Sequence, residues 1–394
     1  MLRAILGILI ALSFLQPALA NPYVSPSPAA EPAPDETTTD PQPVTITLTL
    51  LGDTGFAENK TLQKAKSSKH WSKFTKGIAP LIDGDLNFVN LETVITDKKL
   101  KPVGKKFVFQ SHTSSLEHLA NDLGVNLFSV ANNHVGDFGR KGQIKTVEAF
   151  EALDTEVYYH GLGNSEQVRK PVEFEFKGVS VAFSAIGIPS RAPRPKADQP
   201  GQLHVRSDKD WDDVIAGLAK SEADLKILSV HEGKEKQLYA QSHVKKKYRA
   251  ALAEADIDFI VGDHSHVTGG LEQDEAGRTI AYSLGNALLF GASNIDWRPF
   301  GSDFGLYLKA EFQVLDGQAK LTQLSAVPMK GMHEKPRVLK GKDASKRVAF
   351  INKVSKKTSG KRALILEIGD EGHGVFSLPQ DQAPEDPEPS SDPN

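Results

Sequence analysis

Residues 126–139 read NLFSVANNHVGDFG. The first six residues put apolar side chains on both faces, Leu127, Phe128, Val130 and Ala131, the pattern of a strand buried between two layers. The run stops at Asn132, Asn133 and His134, and turn formers follow at Gly136 and Asp137. The strand therefore carries its chemistry at one end. Runs of the same kind recur at TITLTLL (45–51), LNFVNL (86–91), VSVAFSAIG (179–187), KILSVH (226–231), DFIVG (258–262) and TIAYSLG (279–285). Helical patterns lie between them, roughly over 60–82, 114–123, 141–153, 208–223 and 242–255, with Asp208 and Ser242 placed as N-caps. Alternation of this sort predicts an α/β domain with mixed or parallel sheets.

Four further strands end as 126–131 does. Asp53 closes the first in LLGDTGF, Glu92 follows the second in VNLETVIT, His231 ends LSVHEGKE, and His264 and His266 stand in IVGDHSHV. The carboxyl ends of strands in an α/β sheet share one edge, where ligands bind. Each motif alone has a plainer explanation. A Gly-Asp is a turn, a Glu after a strand is a helix cap, an Asn-Asn-His loop is turn chemistry, and a lone His is a satisfied core residue. The His264-Ser-His266 pair is more pointed, because positions i and i+2 of extended backbone face the same way and would offer two imidazoles to one centre. Five strand ends supplying oxygen and imidazole donors without sulfur suit one or two ions of Mn, Fe or Zn. Such a centre can acidify a bound water and clamp phosphoryl oxygens, so the predicted chemistry is metal-assisted hydrolysis. Asp137, three residues beyond His134, is placed either to orient that imidazole or to cap the helix that follows. Asp263 and Glu235 are further carboxylates near the motifs.

Composition narrows the rest. With 47 Lys+Arg against 50 Asp+Glu over 394 residues, the formal charge is −3, which excludes a generally basic nucleic-acid coat; no nucleic-acid partner is expected. There are 0 cysteines, so disulfides, thiolate zinc, iron–sulfur clusters and a cysteine nucleophile are all excluded. Residues 1–20 carry Arg3, an apolar run and Ala-Leu-Ala before Asn21, the layout of a secretory signal cleaved after Ala20, which implies a periplasmic or secreted protein. Ser13, Gln16 and Pro17 interrupt the run short of the roughly 20 residues that span a bilayer. Residues 21–43 hold seven Pro, and 378–394 are acidic and Pro-rich; both are expected to be disordered. From Lys330 to Arg362 there are 12 Lys/Arg and 2 acidic residues. That block is either a patch for an anionic polymer or membrane surface, or the solvated face of an amphipathic helix capped by Asp343 with Val348, Ile351 and Val354 inward.

The ordered series LTLLGD, FVNLET, VANNHVGDFG, SVHEGKE, GDHSHV and AYSLGNALLF, spanning about Thr45 to Val327 and more loosely to Ser377, resembles the CapA-type capsule and poly-γ-glutamate synthesis family. That family is related to the calcineurin-like metallophosphoesterases. The resemblance implies a four-layer α-β-β-α sandwich with two facing mixed sheets over 44–327, with 328–377 as a basic extension packed on it. It implies Asp53, Glu92, Asn133, His231, His264 and His266 as ligands of one or two divalent ions (Mn, Fe or Zn), Glu92 bridging. His134 becomes the catalytic histidine that contacts phosphate, with Asp137 beside it, and Asn132, Glu235 and Asn286 are assigned to substrate. The sequence departs from the phosphoesterase pattern in two ligands, as the CapA family itself does: Gly55 stands where the first motif has a His, and Glu92 replaces an Asp. It departs from the CapA family's pattern at Glu232, where that family has a Trp after the histidine. The implied function is synthesis, release or export of an anionic capsule or poly-γ-glutamate-like polymer by a metal-dependent hydrolase or transferase centre. The implied substrate is an anionic polymer or phosphate-containing compound, and the implied partner is membrane-bound polymer synthesis machinery. The alternative is a non-catalytic polymer-binding or scaffolding subunit, which the incomplete first motif favours.

Overall fold

The computed structural model describes residues 42–55, 68–188, 190–290 and 303–378. The expected signal, nearly all of the expected linker, residues 379–394 of the expected acidic tail and the first part of the expected 60–82 helix lie outside the described residues.

The chain first lays down four parallel strands: β1 (Val44–Gly55), β2 (Leu86–Leu91), β3 (Leu127–Ser129) and β4 (Tyr158–His160), adjacent in that order. It then crosses to a second sheet of β5 (Val172–Phe176), β6 (Val179–Gly187), β7 (Leu225–His231), β8 (Phe259–Asp263), β9 (Leu271–Gln273) and β10 (Thr279–Ala281). Their order is β9-β10-β8-β7-β6-β5, parallel in the middle and antiparallel at both edges. The expected strand over 279–285 is two pieces. After Ala281 the chain leaves the second sheet, turns at Gly285 (φ 71°), and enters the first as β11 (Asn286–Leu289), parallel to the end of β1. β12 (Phe304–Leu315), β13 (Gln318–Lys330) and β14 (Gly374–Ser377) add antiparallel strands beyond β1.

Each central strand buries both faces, which is why the sequence shows continuous apolar runs. One face of the first sheet (Ile46, Leu48, Leu50, Phe88) meets one face of the second (Val181, Phe183, Ile227, Phe259, Val261). Phe88 and Phe183 touch edge to face across the gap, with ring centroids 6.0 Å apart. On the outer face of the first sheet, Leu51, Val89, Leu91 and Phe128 pack on Trp71 of α1 (Ser68–Thr75), Leu116 of α2 (Thr113–Glu117) and Phe150 of α3 (Gly139–Glu151). On the outer face of the second, Ile186, Leu228, Val230 and Ile260 pack on Trp211 and Ile215 of α4 (Asp208–Ala219) and Tyr248 of α5 (Ser242–Ala255). This is the four-layer α-β-β-α sandwich with two facing mixed sheets. Burying each such side chain contributes about 1.5–3 kcal/mol, so a polar group on these faces has to be offset by something.

Residues 328–377 continue the same structure. β13 runs through Pro328 to Lys330, β14 pairs with it, and α6 (Gly341–Ser359) sends Val348 and Ile351 into the core between the sheets. Three helix starts differ from expectation. The cap of α4 is Ser207, whose hydroxyl accepts from the Asp210 N–H, and not Asp208. α5 begins at Ser242 itself after Gln241, and α6 begins after Lys340; neither has a side-chain cap, and Asp343 sits inside the first turn, where the helix dipole favours it. The helix expected over 114–123 is α2 followed by a π-helical turn, His118–Asp122.

Asp258 leads into β8, and its Oδ2 accepts the Lys226 N–H at 2.7 Å. Burial pushes this carboxyl up to about 7, with the Asp256 charge adding and the Lys226 N–H opposing. An unfolded Asp titrates near about 3.9, so the folded chain holds the proton more tightly. That contribution to stability is full below about pH 4 and is lost as pH rises to about 7. Asp258→Asn is expected to remove this slope and raise stability at pH 8 by on the order of 1 kcal/mol, as urea melts at pH 5 and pH 8 would show.

Candidate metal centre

Along the inter-sheet face, each strand stays apolar until its last positions. Phe88 is followed by Asn90 and Glu92, Ile227 by Ser229 and His231, and Val261 by Asp263. β1 reaches the same result by a detour. Ile46, Leu48 and Leu50 face the second sheet, so simple alternation would send Asp53 outward with Leu51. A bulge between Leu51 and Asp53 resets the register, and Asp53 comes to lie between Asn90 of β2 and Asn286 of β11. The bulged strand passes so close to its neighbour that a Cβ on Gly52 would stand 2.0 Å from the Gly285 carbonyl oxygen.

Two buried triads result, Asp53–Glu92–His266 and Glu92–His231–His264, with the donor atoms of each within 4.8 Å of one another. Glu92 belongs to both. His231 Nε2 lies 3.4 Å from Glu92 Oε1, 3.2 Å from His264 Nδ1 and 2.8 Å from Asn133 Oδ1, so Asn133 joins the second triad. His266 Nδ1 lies 3.0 Å from Asp53 Oδ2 and 4.0 Å from Glu92 Oε2. The sequence predicts an extended His264–His266 segment, and the structure corrects this. Both residues are left-handed, at φ 91° and 56°, and they deliver one imidazole to each triad instead of two to one centre.

The electrostatics of Glu92, Asp263 and His264 match a cation site. Burial opposes charge on His266, but the Glu92 and Asp53 charges raise it to about 10, so that ring has to release a proton to bind an ion. Among the described residues neither oxygen of Glu92 accepts a hydrogen bond, nor does either oxygen of Asp263, and both residues are fully buried. A buried carboxylate without donors is costly unless a cation balances it. Burial, then the charges of Asp53 and Glu92, hold the Asp263 carboxyl well above its usual range. Burial opposes charge on Asp53 too, but the hydrogen bond and charge of His266, with His231 and Asn90, bring it down to about 2. Burial and the neighbouring His231 and His266 hold His264 well below its ordinary value, so it is the neutral imidazole that ligates metals. Oxygen and imidazole donors in two sets that share one acid fit a divalent ion.

His134 stands at the rim. Its Nδ1 is 2.6 Å from Asp137 Oδ2, and Asp137 also accepts from Lys105 Nζ at 2.7 Å and from the Phe109 N–H at 2.6 Å. A carboxylate is an acceptor, so it accepts a hydrogen bond from Nδ1–H, and in the neutral ring this leaves Nε2 bare, 3.8 Å from Glu92 Oε1. The Phe109 ring stacks on the imidazole with centroids 3.6 Å apart. Burial lowers the His134 pKa against the pull of Asp137 and Glu92. Asp137 therefore orients His134 and does not cap α3, which has no side-chain cap. Asp137→Asn is expected to lower turnover about 10- to 100-fold with metal content unchanged, a split that steady-state kinetics and elemental analysis would show.

The three residues assigned to substrate have other placements. Asn132 donates to Asn90 Oδ1 and the Leu91 carbonyl and accepts from the His134 and Val135 N–H groups, so its amide shapes the loop. Asn286 Oδ1 lies 2.8 Å from His266 Nδ1 and fixes that ring. Glu235 is exposed and makes no hydrogen bond or ion pair among the described residues. Arg140 donates to the Pro200 and Arg194 carbonyls. Sequence reading missed Asn90, Lys105 and Phe109. Asn90 Nδ2 is 2.8 Å from Asp53 Oδ1 and 2.9 Å from His231 Nδ1, tying the two sheets together. A carboxamide inside an otherwise apolar strand was its signal. Lys105 and Phe109 gave none, since only the fold of 103–109 back onto Asp137 brings them in.

The profile of the family described as bacterial capsule synthesis protein PGA_cap matches residues 47–290. The capsule biosynthesis protein CapA of Bacillus anthracis is 30% identical over 255 residues, covering 61% of this chain and 59% of that protein. The PGA biosynthesis protein CapA of Bacillus subtilis (strain 168) is 28% identical over 199 residues, covering 50% of this chain and 51% of that one. The chain thus spans little more than half the length of these relatives. Among solved structures, a hypothetical protein from Thermus thermophilus aligns with TM-score 0.42 at 15% identity, over 73% of this chain and 100% of that one. The calcineurin-like phosphoesterase YfkN from Bacillus subtilis aligns with TM-score 0.40 at 13% identity, over 73% of this chain and 92% of that one. The matched profile covers more than half of the chain and all of the strand ends that meet at the two triads, and on that ground the chain belongs to the bacterial capsule synthesis protein PGA_cap family.

Proposed function

We propose that this chain is a metal-dependent hydrolase or transferase of the cell envelope, acting in the synthesis, release or export of an anionic capsule or poly-γ-glutamate-like polymer. The observation that carries the reading is Glu92, a fully buried carboxylate with no hydrogen-bond donor among the described residues, shared by two triads of metal-type ligands. Asp53, Glu92 and His266 would hold one divalent ion; Glu92, His231, His264 and Asn133 would hold a second. A bound divalent ion supplies Lewis acidity and a water of lowered pKa. His134, held by Asp137, presents an unprotonated Nε2 that takes a proton from, or returns one to, the reacting group. Lys105, 16% exposed, sets positive charge beside His134, which suits a phosphate- or carboxylate-bearing substrate. The polymer is proposed from the names of the relatives, which read capsule biosynthesis and PGA biosynthesis protein; membrane-bound synthesis machinery as partner is a further part of the proposal.

The scaffold reading keeps one observation on its side. Gly55 leaves the first triad without the phosphoesterase histidine, and a Cβ there would stand 2.9 Å from the Glu92 carbonyl oxygen, so no side chain fits without movement. One experiment separates the two. Cleavage of bis(p-nitrophenyl) phosphate that depends on added Mn, Fe or Zn and is lost in Asn133→Ala and His266→Ala is the expected result. A protein with no bound metal, whose polymer output survives His264→Ala, would leave only the scaffold. Export is part of the same proposal: N-terminal sequencing of the envelope fraction is expected to begin at Asn21.

A further inference from the structure

The basic block between residues 330 and 362 contributes nothing to the metal centre, and α6 treats one of its cations differently from the rest. Lys342, Lys346, Lys353, Lys356 and Lys357 are exposed, as on any solvated helix face, whereas Arg347 is 8% exposed. Its guanidinium carbon lies 4.0 Å from the ring centroid of Phe304 and 5.2 Å from that of Phe350, so two aromatic faces hold the group in place. Yet among the described residues Nε and Nη2 are buried with no hydrogen-bond partner. Other arginines of this chain behave as structural ones do. Arg249 is bidentate on Glu272, and Arg278 pairs with Asp274 and Asp256. A guanidinium carries five N–H donors and keeps its charge at neutral pH, so burying it between rings with donors idle costs stability that packing alone does not require.

Arg347 lines a cavity of about 440 Å³ together with Phe304, Lys330, Leu339, Asp343, Lys346 and Phe350. Three cations there face one carboxylate, and no residue of either triad takes part. We propose that this cavity is an oxyanion-binding site, in which Arg347 clamps a carboxylate or phosphate group of a ligand and Lys330 and Lys346 supply further positive charge. The rings of Phe304 and Phe350 fix the guanidinium before the ligand arrives, which lowers the ordering cost of binding. The site does not depend on turnover at the metal centre.

The test is calorimetric titration of the full chain with inorganic phosphate and, separately, with glutarate, at constant ionic strength set by chloride. Wild type is expected to bind one of the two, and the tighter probe identifies the group as phosphate or carboxylate. Arg347→Met is expected to weaken binding at least about 10-fold, the effect of losing a charge-assisted hydrogen-bonding partner. Glu92→Gln, which disables the metal centre, should leave this binding unchanged, so the cavity and the metal reading fail or stand separately. Lys346→Ala, at an exposed position, should weaken binding by a smaller factor and serves if Arg347→Met does not fold. Removal of a buried unpaired charge should leave the melting temperature of ligand-free Arg347→Met unchanged or raised. Equal affinity in wild type, Arg347→Met and Lys346→Ala, or binding of neither probe up to roughly 10 mM, would overturn the proposal.

Discussion

Glu92→Gln is expected to reduce bound Mn, Fe or Zn to under about a tenth of an equivalent and to abolish metal-dependent hydrolysis. The substitution keeps the size of the side chain and removes its charge. Because Glu92 lies in both triads, one change weakens both sites, whereas His264→Ala or His266→Ala touches one each. The metal-stripped variant should unfold within a few degrees of metal-stripped wild type, since among the described residues the Glu92 oxygens accept no hydrogen bond. Elemental analysis and a melting curve in chelator give both readouts. A variant that keeps full metal would mean the two triads do not share this acid as a ligand.

Gly52→Ala should cost about 3 kcal/mol and lower the melting temperature by about 4–5 °C, with metal binding lost as well. A Cβ at this position would meet the Gly285 carbonyl oxygen at 2.0 Å, the carbonyl carbon at 3.0 Å and Leu284 Cβ at 3.1 Å. None of these is the free end of a flexible side chain. Relief requires β1 to move away from the turn that precedes β11, and that turn accepts the Asp53 N–H at 3.0 Å through the same Gly285 oxygen. The bulge that aims Asp53 into the site would go with it. Differential scanning calorimetry with elemental analysis checks both parts; an unchanged melting temperature with full metal would show that the bulge tolerates a side chain.

How much of this could be read in advance follows from where each interaction lies along the chain. The strands were legible because burial on both faces forces continuous apolar runs, and the site was legible because polar residues interrupt those runs only at their ends. LNFVNL matched β2 to the residue, and VSVAFSAIG matched β6. Backbone irregularities were not legible. Nothing in LLGDTG announces that Asp53 reaches the site through a bulge, and nothing in DHSHV announces two histidines at positive φ, a conformation uncommon outside glycine. Long-range partners were hidden for another reason. Lys105 and Phe109 meet His134 only through tertiary folding of a loop with no periodicity, and Arg347 is buried by Phe304, far earlier in the chain. The amphipathic face of α6 was readable; which of its cations faced inward was not.

The most direct test of the account is the metal content of the purified full chain after dialysis against Mn, Fe or Zn and removal of free ion. The two triads predict about one to two equivalents of bound divalent metal, with none retained by Glu92→Gln. Wild-type protein that holds under about a tenth of an equivalent of each of the three ions, while folded by circular dichroism, would contradict the metal centre and the hydrolytic function built on it.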